Sequence, residues 1–345
     1  MVNNRIFWAV KAIGVAPHGS STHAVVHGVQ SAGITTTFNL EQVFEYGQIS
    51  IYQNIEDIPD IEMTVERVLD GYPLLYHLAT VDAASNTLSG RSGARANVAM
   101  SIFGDTQNAA SGVPVAQVNL SGMYVNSLTY TIPTEGNCTE SVSLVGNDKT
   151  WLSAAYTFSG SLFDNADTPL ALDSGNGGVQ RRQNVVFGQL TETLLPGGTN
   201  GIPGISSSGT NNKTVDVYGA HVQNVTFSVD LGREALNELG RRGPFFRFVT
   251  FPVEVTTEIE VLSTTGDQIE ATEAGVLADG NNLSAHTIQV KLEDSTLFYL
   301  GTQNKLSSVT SGGGDTGGGN DTNSYSYTTF NDLTITQDQN PGVNN

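Results

Sequence analysis

The chain has 345 residues, 14% of them charged, with 34 acidic against 15 basic side chains and a net charge of −19. At that length it can bury two substantial cores, and its acidity disfavours gripping nucleic acid, which needs clustered Lys and Arg. The sparse charge is replaced by Gly, Ser, Thr and Asn, a composition that favours β structure with long polar loops. Cys138 is the single cysteine, so no intrachain disulfide framework exists. The start, Met1 to Arg5 leading into Ile6–Val10, lacks the apolar core and cleavage pattern of an export signal. No run reaches membrane-spanning length. The expectation is a protein soluble and intracellular at synthesis.

In chain order, 5–16 and 21–38 read as strands around a turn at Pro17-His18-Gly19. Leu40 to Tyr46 reads as a short helix with Leu40, Val43 and Phe44 on one face and Asn39 as its N-cap. Ile55 to Pro59 makes a turn. Ile61, Met63 and Val65 then alternate with Glu62, Thr64 and Glu66, a strand with one dry face and one acidic wet face. Tyr72 to Thr80, with Pro73 near its start, reads as a packed helix. Strands are expected over 97–103, 115–120, 124–132 and 139–145, the last two as a hairpin through Pro133 to Asn137.

From about 159 to 214 Gly, Asn, Ser and Pro crowd the chain, and only Val185 to Phe187 offers a strand. Beyond it, strands are expected at 215–218, 225–229, 245–248, 254–262, 287–292 and 296–300, with closing strands around Tyr325, Tyr327, Leu333 and Ile335. Gly232 to Leu239 reads as a second short helix.

These segments state one pattern twice. Gln30 to Gly47 and Gln223 to Gly240 are offset by 193 residues, each an alternating strand followed by an acidic helix closed by glycine. Each is followed by a matching strand, Ile61 to Glu66 and Val253 to Glu258, after a slip of one residue. Matched elements in the same order point to a duplicated module. The domains expected are 1–158, an insertion over 159–212, and 213–345 with a loose C-terminal tail.

Catalytic chemistry finds little support. The tract Gly312 to Gly319 has no lysine and fails as a phosphate loop. His18, His23 and His27 lie close in sequence, but no cysteine joins them and no tetrahedral set is implied. Glu62 and Glu66 sit roughly 13 Å apart on a strand, too far for a carboxylate pair that shares one bond. No Gly-x-Ser-x-Gly elbow occurs. The expectation is a non-enzyme with no cofactor and no metal. His77 on its apolar helix reads as a packed residue making one hydrogen bond. Arg241, Arg242 and Arg247 form the one basic cluster, read as ion-pairing with a neighbouring subunit's carboxylates in preference to a ligand site.

Four passages, 44–78, 127–151, 225–261 and Asn304 to Val309 with its glycine tract, resemble the tail tube (major tail) proteins of tailed bacteriophages. Together they touch about a third of the chain, and the likeness is one of overall pattern without a catalytic signature. The resemblance implies two tandem β-sandwich or partly closed barrel domains, each flanked by a short helix. It implies stacked rings of sixfold or pseudo-sixfold symmetry around a lumen that viral DNA crosses without specific binding. Two copies per chain allow a trimer; a hexamer follows if one copy alone lines the lumen. By analogy Glu62, Thr64, Glu66, Glu254, Thr256 and Glu258 face the lumen, and Glu41, Glu45, Glu234, Glu238, Arg241, Arg242 and Arg247 meet neighbouring subunits. Sheath, baseplate and tail terminator proteins are the implied partners, and a virion tail assembled in the host cytoplasm the implied location, with no membrane involved. The competing class is another virion component, such as a decoration or baseplate protein. A secreted carbohydrate-binding sandwich would need an aromatic platform and an export signal, and neither is evident.

Overall fold

A computed structural model of the chain describes residues 5–20, 23–104, 114–153, 178–187, 202, 221–241, 243–263, 283–312 and 319–337. In chain order the strands are β1 (Lys11–Pro17), β2 (Ala24–Val25), β3 (Val29–Thr37), β4 (Leu40–Phe44), β5 (Ile51–Glu56), β6 (Asp60–Val68), β7 (Ala96–Ile102), β8 (Ala116–Pro133), β9 (Thr139–Gly146) and β10 (Asp148–Ser153). They continue with β11 (Val185–Phe187), β12 (His221–Asp230), β13 (Arg233–Leu236), β14 (Phe246–Val249), β15 (Glu254–Leu262), β16 (Gln289–Leu292), β17 (Thr296–Tyr299), β18 (Lys305–Gly312), β19 (Thr322–Phe330) and β20 (Thr334–Gln337). Among the described residues the α-helices are α1 (Leu75–Ala79) and α2 (Leu88–Arg91). The protein is mainly β, built on large interconnected sheets.

Among the described residues twelve strands join one sheet system, and the long β8 is its spine. The first half of β8, up to Met123, pairs with β7 and β10. Its second half, from Tyr124, pairs with β9 and β12. Gly122, at a backbone φ of +65°, stands between the two halves, where a residue without Cβ can turn the strand at little cost. One sheet therefore runs β3-β6-β9-β8-β12-β15-β19-β18, antiparallel throughout. A smaller sheet, β11-β16-β17-β20, is hydrogen-bonded separately from it. Alternation in β6 and β15 holds as expected, with Ile61, Met63 and Val65, and Val255, Ile259 and Val261, all buried.

Both short acidic helices expected before Gly47 and Gly240 are strands. Leu40–Phe44 pairs with Ile51–Glu56, and Arg233–Leu236 pairs with Phe246–Val249, giving two antiparallel hairpins. The physical reason is length. A helix of two turns has little stability without tertiary support, whereas the aromatic and β-branched partners Ile51, Tyr52, Ile55, Phe246, Phe248 and Val249 favour pairing. Asn39 caps no helix; its amide donates to the Ile58 carbonyl and to Asp60 and so ties the base of the first hairpin. Ile55 and Glu56 belong to β5, which confines the expected turn to residues 57–59.

The pairing pattern of β3, β6, β9 and β8 recurs in β12, β15, β19 and β18. The bulge between Val29 and Ser31 has its counterpart between Val222 and Asn224, and the bulge between Val125 and Ser127 its counterpart between Leu306 and Ser308. Gln30 and Gln223, the extra residues of the first two bulges, each donate a side-chain hydrogen bond to the carbonyl two residues back, at 3.1 and 3.2 Å. Both hairpins also close on a glycine at positive φ, Gly47 at +92° and Gly240 at +82°. The register nevertheless corrects the sequence match for the second strand. Superposing the pairs aligns Ile61 with Val255 rather than Val253. A two-residue shift keeps every side chain on its face, which is why alternation alone did not reveal it.

The apolar face of the long sheet packs on α1 and on the small sheet. Phe298 of β17 lies 4.7 Å from the Tyr130 ring and 5.6 Å from that of Phe227, joining β8 and β12 beneath one side chain. Arg67, fully buried, holds α1 in place: its guanidinium donates to the Pro73 carbonyl at 2.5 Å and to Asp70 at 2.6 Å, and its Nε lies 3.8 Å from Glu140. Glu140, also fully buried, accepts from the backbone N–H of Leu75 and Tyr76 and from the Tyr130 hydroxyl. Those are the unpaired N–H groups of the helix start, so a carboxylate placed there replaces the missing partners.

His77 is the packed residue expected, hydrogen-bonded at 3.1 Å to the Ile335 carbonyl. Burial, with the nearby Arg91 charge, pushes its pKa down to about 3. Between that value and the ordinary value near 6.5 the unfolded chain binds the extra proton, so stability is whole above pH 6.5 and falls as pH drops. Lowering the pH from 6.5 to 5 is expected to remove about 2 kcal/mol through this group. Urea denaturation at the two pH values checks it, and His77→Gln should flatten the difference.

Candidate functional site

The outer face of the long sheet is a continuous polar surface. Ser31, Glu66, Ser141, Thr129, Ser228, Thr256, Thr328 and Lys305 stand one beside the next across eight strands. A second row runs Thr131, Thr226, Glu258, Ser326 and Ser308. Alternation dictates this: in β6, β9, β8, β12, β15 and β19 the Ser, Thr and Glu of these rows are flanked by buried residues, and on the edge strands by the half-buried Ala32, Leu306 and Val309.

The candidate lumen residues Glu62, Thr64, Glu66, Glu254, Thr256 and Glu258 all lie on this face, exposed except for the half-buried Thr256. Glu62 accepts from the Ser143 hydroxyl at 2.8 Å and Glu66 from that of Ser31 at 3.3 Å. The carboxylates are thus spread among hydroxyls along the face and form no catalytic cluster. Among the described residues no group of His, Cys, Asp and Glu is placed to hold a metal ion. His18 bonds Asn97, and His27 stacks on Tyr72 at 3.8 Å.

Among the described residues the long sheet ends on two open edges, β3 and β18. Both are hydroxyl-rich, with the uncharged runs Ile34-Thr35-Thr36-Thr37 on one and Leu306-Ser307-Ser308-Val309-Thr310-Ser311 on the other. Neither carries a proline, and the one lysine on them, Lys305, stands at the start of β18. Edges of monomeric sheets are commonly protected by charge, proline or cover, and among the described residues nothing pairs with these.

The candidate inter-subunit residues divide among different places. Glu41 and Glu234 sit exposed on β4 and β13, and Glu45 and Glu238 on the hairpin turns. Glu45 accepts from the Gln48 amide at 2.7 Å, and Glu238 pairs with Arg241 at 3.5 Å on the surface. Arg242 lies outside the described residues. Arg247 pairs with Asp60 of its own chain at 2.7 Å and donates to Asn147 at 3.1 Å. The sequence did not single out Arg233, which is the main anchor of the second hairpin. It donates to the carbonyls of Val125, Ser92 and Arg247 and lies 4.9 Å over the Tyr124 ring. Burial is the first cause of its pKa falling to about 10. One basic residue among acidic neighbours gives no sequence signal for such a role.

The two hairpins differ in what covers them. The second folds back over β8, with Phe246 edge-on to Tyr124 at 5.2 Å. The first exposes Phe38, Leu40, Phe44, Tyr46, Ile49, Ile51, Tyr52 and Ile55.

No family model matches the chain, and no curated protein matches it. Among solved structures it is similar to the anti-feeding prophage cap, a tube terminating cap, at 12% identity and a TM-score of 0.33 over 45% of this chain and 95% of that one. It is also similar to a chain of the anti-feeding prophage baseplate, solved with sixfold symmetry, at 13% identity and a TM-score of 0.34 over 45% of this chain and all of that one.

Proposed function

We propose that this protein is a structural subunit of a phage tail assembly that joins sideways into a closed ring through its two open sheet edges. The observation that carries the proposal is the β8·β12 junction. There the last strand of one four-stranded set pairs with the first strand of the next, Thr131 with Thr226 and Thr129 with Ser228. The free edge β18 corresponds to β8, and the free edge β3 to β12. A second copy offering β3 to β18 repeats a junction that the chain already makes within itself, which also disposes of both open edges. Corresponding residues would then meet, Thr310 opposite Thr35 and Ser308 opposite Thr37. A head-to-tail contact of this kind closes into a ring when its rotation permits.

In the finer reading the chain is a duplicated tail tube protein, with modules 1–158 and 213–345 and an insertion over 159–212. Three chains then make a pseudo-sixfold ring, or six a larger one, and rings stack around a lumen. The hydroxyl and carboxylate face is the wall that DNA slides past, since an acidic surface repels phosphate. Sheath, baseplate and terminator proteins are its partners in the virion tail. The same edge argument fits a ring component of a baseplate, or another virion structural role, and stacking separates the two.

Electron microscopy of the purified protein over a range of concentration and salt tests the proposal. Rings with a central hole are the expected result, three or six chains being counted by averaging, and filaments of stacked rings favour the tube over the baseplate reading. Particles that stay monomeric at every concentration would overturn assembly through the edges alone.

A further inference from the structure

We propose that the first hairpin, β4–β5, is a clamp that docks on the β18–β19 end of a neighbouring copy of this chain. The inference rests on the repeated four-stranded set and on the edge pairing above. It starts from the second hairpin, whose contacts are intramolecular. β13–β14 leaves the sheet between β12 and β15 and reaches back across the β8·β12 junction. Arg233 anchors to the Val125 carbonyl and the Tyr124 ring, Phe246 packs on Tyr124, and Arg247 binds Asp60 and Asn147.

The first hairpin leaves the sheet at the corresponding point, between β3 and β6, in the same register: Leu40 opposes Glu56 as Arg233 opposes Val249. Reaching back in the same way, it leaves its own chain, because β3 is the sheet's edge. The surface it meets is then the counterpart of the one the second hairpin covers. Leu40 stands for Arg233, Gln53 for Phe246 and Asn54 for Arg247. On the neighbouring copy Lys305 stands for Tyr124, Leu306 for Val125, Glu254 for Asp60 and Phe330 for Asn147.

The side chains at these positions agree with an intermolecular contact. Leu40 is 61% exposed and Phe330 55% exposed, large apolar groups in water on the two surfaces that the equivalence brings together, Leu40 over Lys305 and Leu306 and Phe330 beneath Asn54. Where the intramolecular contact uses Arg233 and the Arg247–Asp60 pair, the proposed contact carries Leu40 and Asn54, so it relies on burying apolar surface. The exposed Ile55 and Phe251 extend the same patches. An interface of this composition keeps each hairpin soluble alone and binds on assembly.

Cysteine cross-linking tests it. Gln53→Cys combined with Lys305→Cys is treated with a short bismaleimide on the full chain. Cys138 is buried with its thiol pushed up to about 12, which keeps it silent. Chains covalently joined in a ladder that ends at the ring number are expected, with neither single-cysteine variant forming one. The reference pair, Tyr124→Cys with Phe246→Cys, should link within one chain and give no ladder. A second variant, Leu40→Asp, should raise the concentration needed for half-assembly at least tenfold while leaving the circular dichroism of the monomer unchanged. Rings seen by microscopy with no 53–305 ladder would overturn the clamp and leave the edge pairing standing. A link formed inside one chain would overturn it as well. Absence of both rings and ladder would overturn the edge pairing and the clamp together.

Discussion

Replacing Arg67 with methionine is expected to cost about 3–5 kcal/mol of stability, the typical penalty for breaking a buried ion pair from one side. The side chain is fully buried and makes its closest contacts with Asp70 at 2.6 Å and the Pro73 carbonyl at 2.5 Å. Removing it leaves a carbonyl without its donor and two carboxylates, Asp70 and the buried Glu140, without their cation. Methionine fills much of the volume, so the loss reports polar pairing more than a cavity. Urea denaturation measures it. Adding Glu140→Gln should restore part of the loss, with a coupling of about 1–3 kcal/mol. A single-variant loss under about 1 kcal/mol would mean that water reaches the site and that Arg67 is no structural hub.

Lysines at Thr35, Thr37, Ser308 and Thr310 together are expected to abolish assembly while leaving the monomer folded. All four side chains point to the outer face and are exposed, so the isolated chain has little reason to notice them. In the proposed register Thr35 faces Thr310 and Thr37 faces Ser308, which places two like-charged pairs at every junction. Each such pair is destabilising by up to about 1 kcal/mol, and edge lysines are a natural defence against strand addition. Sedimentation would show monomer at concentrations where the parent forms rings. Lysine on β3 opposite glutamate on β18 should restore rings, an outcome that nonspecific unfolding does not predict. If the four-lysine variant still forms rings, assembly uses another surface.

The sequence by itself determined the strands whose two faces see different surroundings. Ile61, Met63 and Val65 against Glu62, Thr64 and Glu66 fixed β6 and its faces, and Glu254 to Leu262 gave β15 its full extent. Pro73 and the leucines after it located α1. The sequence also held the recurrence, because Gln30 and Gln223 occupy equivalent bulges 193 residues apart. These signals are local: alternation and turn chemistry act over a few neighbours and leave a period that can be read.

Only the tertiary structure decided the rest. Leu40 to Tyr46 and Gly232 to Leu239 carry apolar spacings that fit one helical face, and pairing with β5 and β14 turned them into hairpins, since short segments take the conformation their partners stabilise. The register of β6 against β15 was hidden because a shift by two residues changes no face. Arg67, Glu140 and Arg233 gained their roles from groups up to 141 residues away, a distance over which sequence pattern carries no information. Which edges stay open was decided in the same way. A strand reads alike whether it has one neighbour or two, and only the assembled sheet shows that, among the described residues, β3 and β18 each have one.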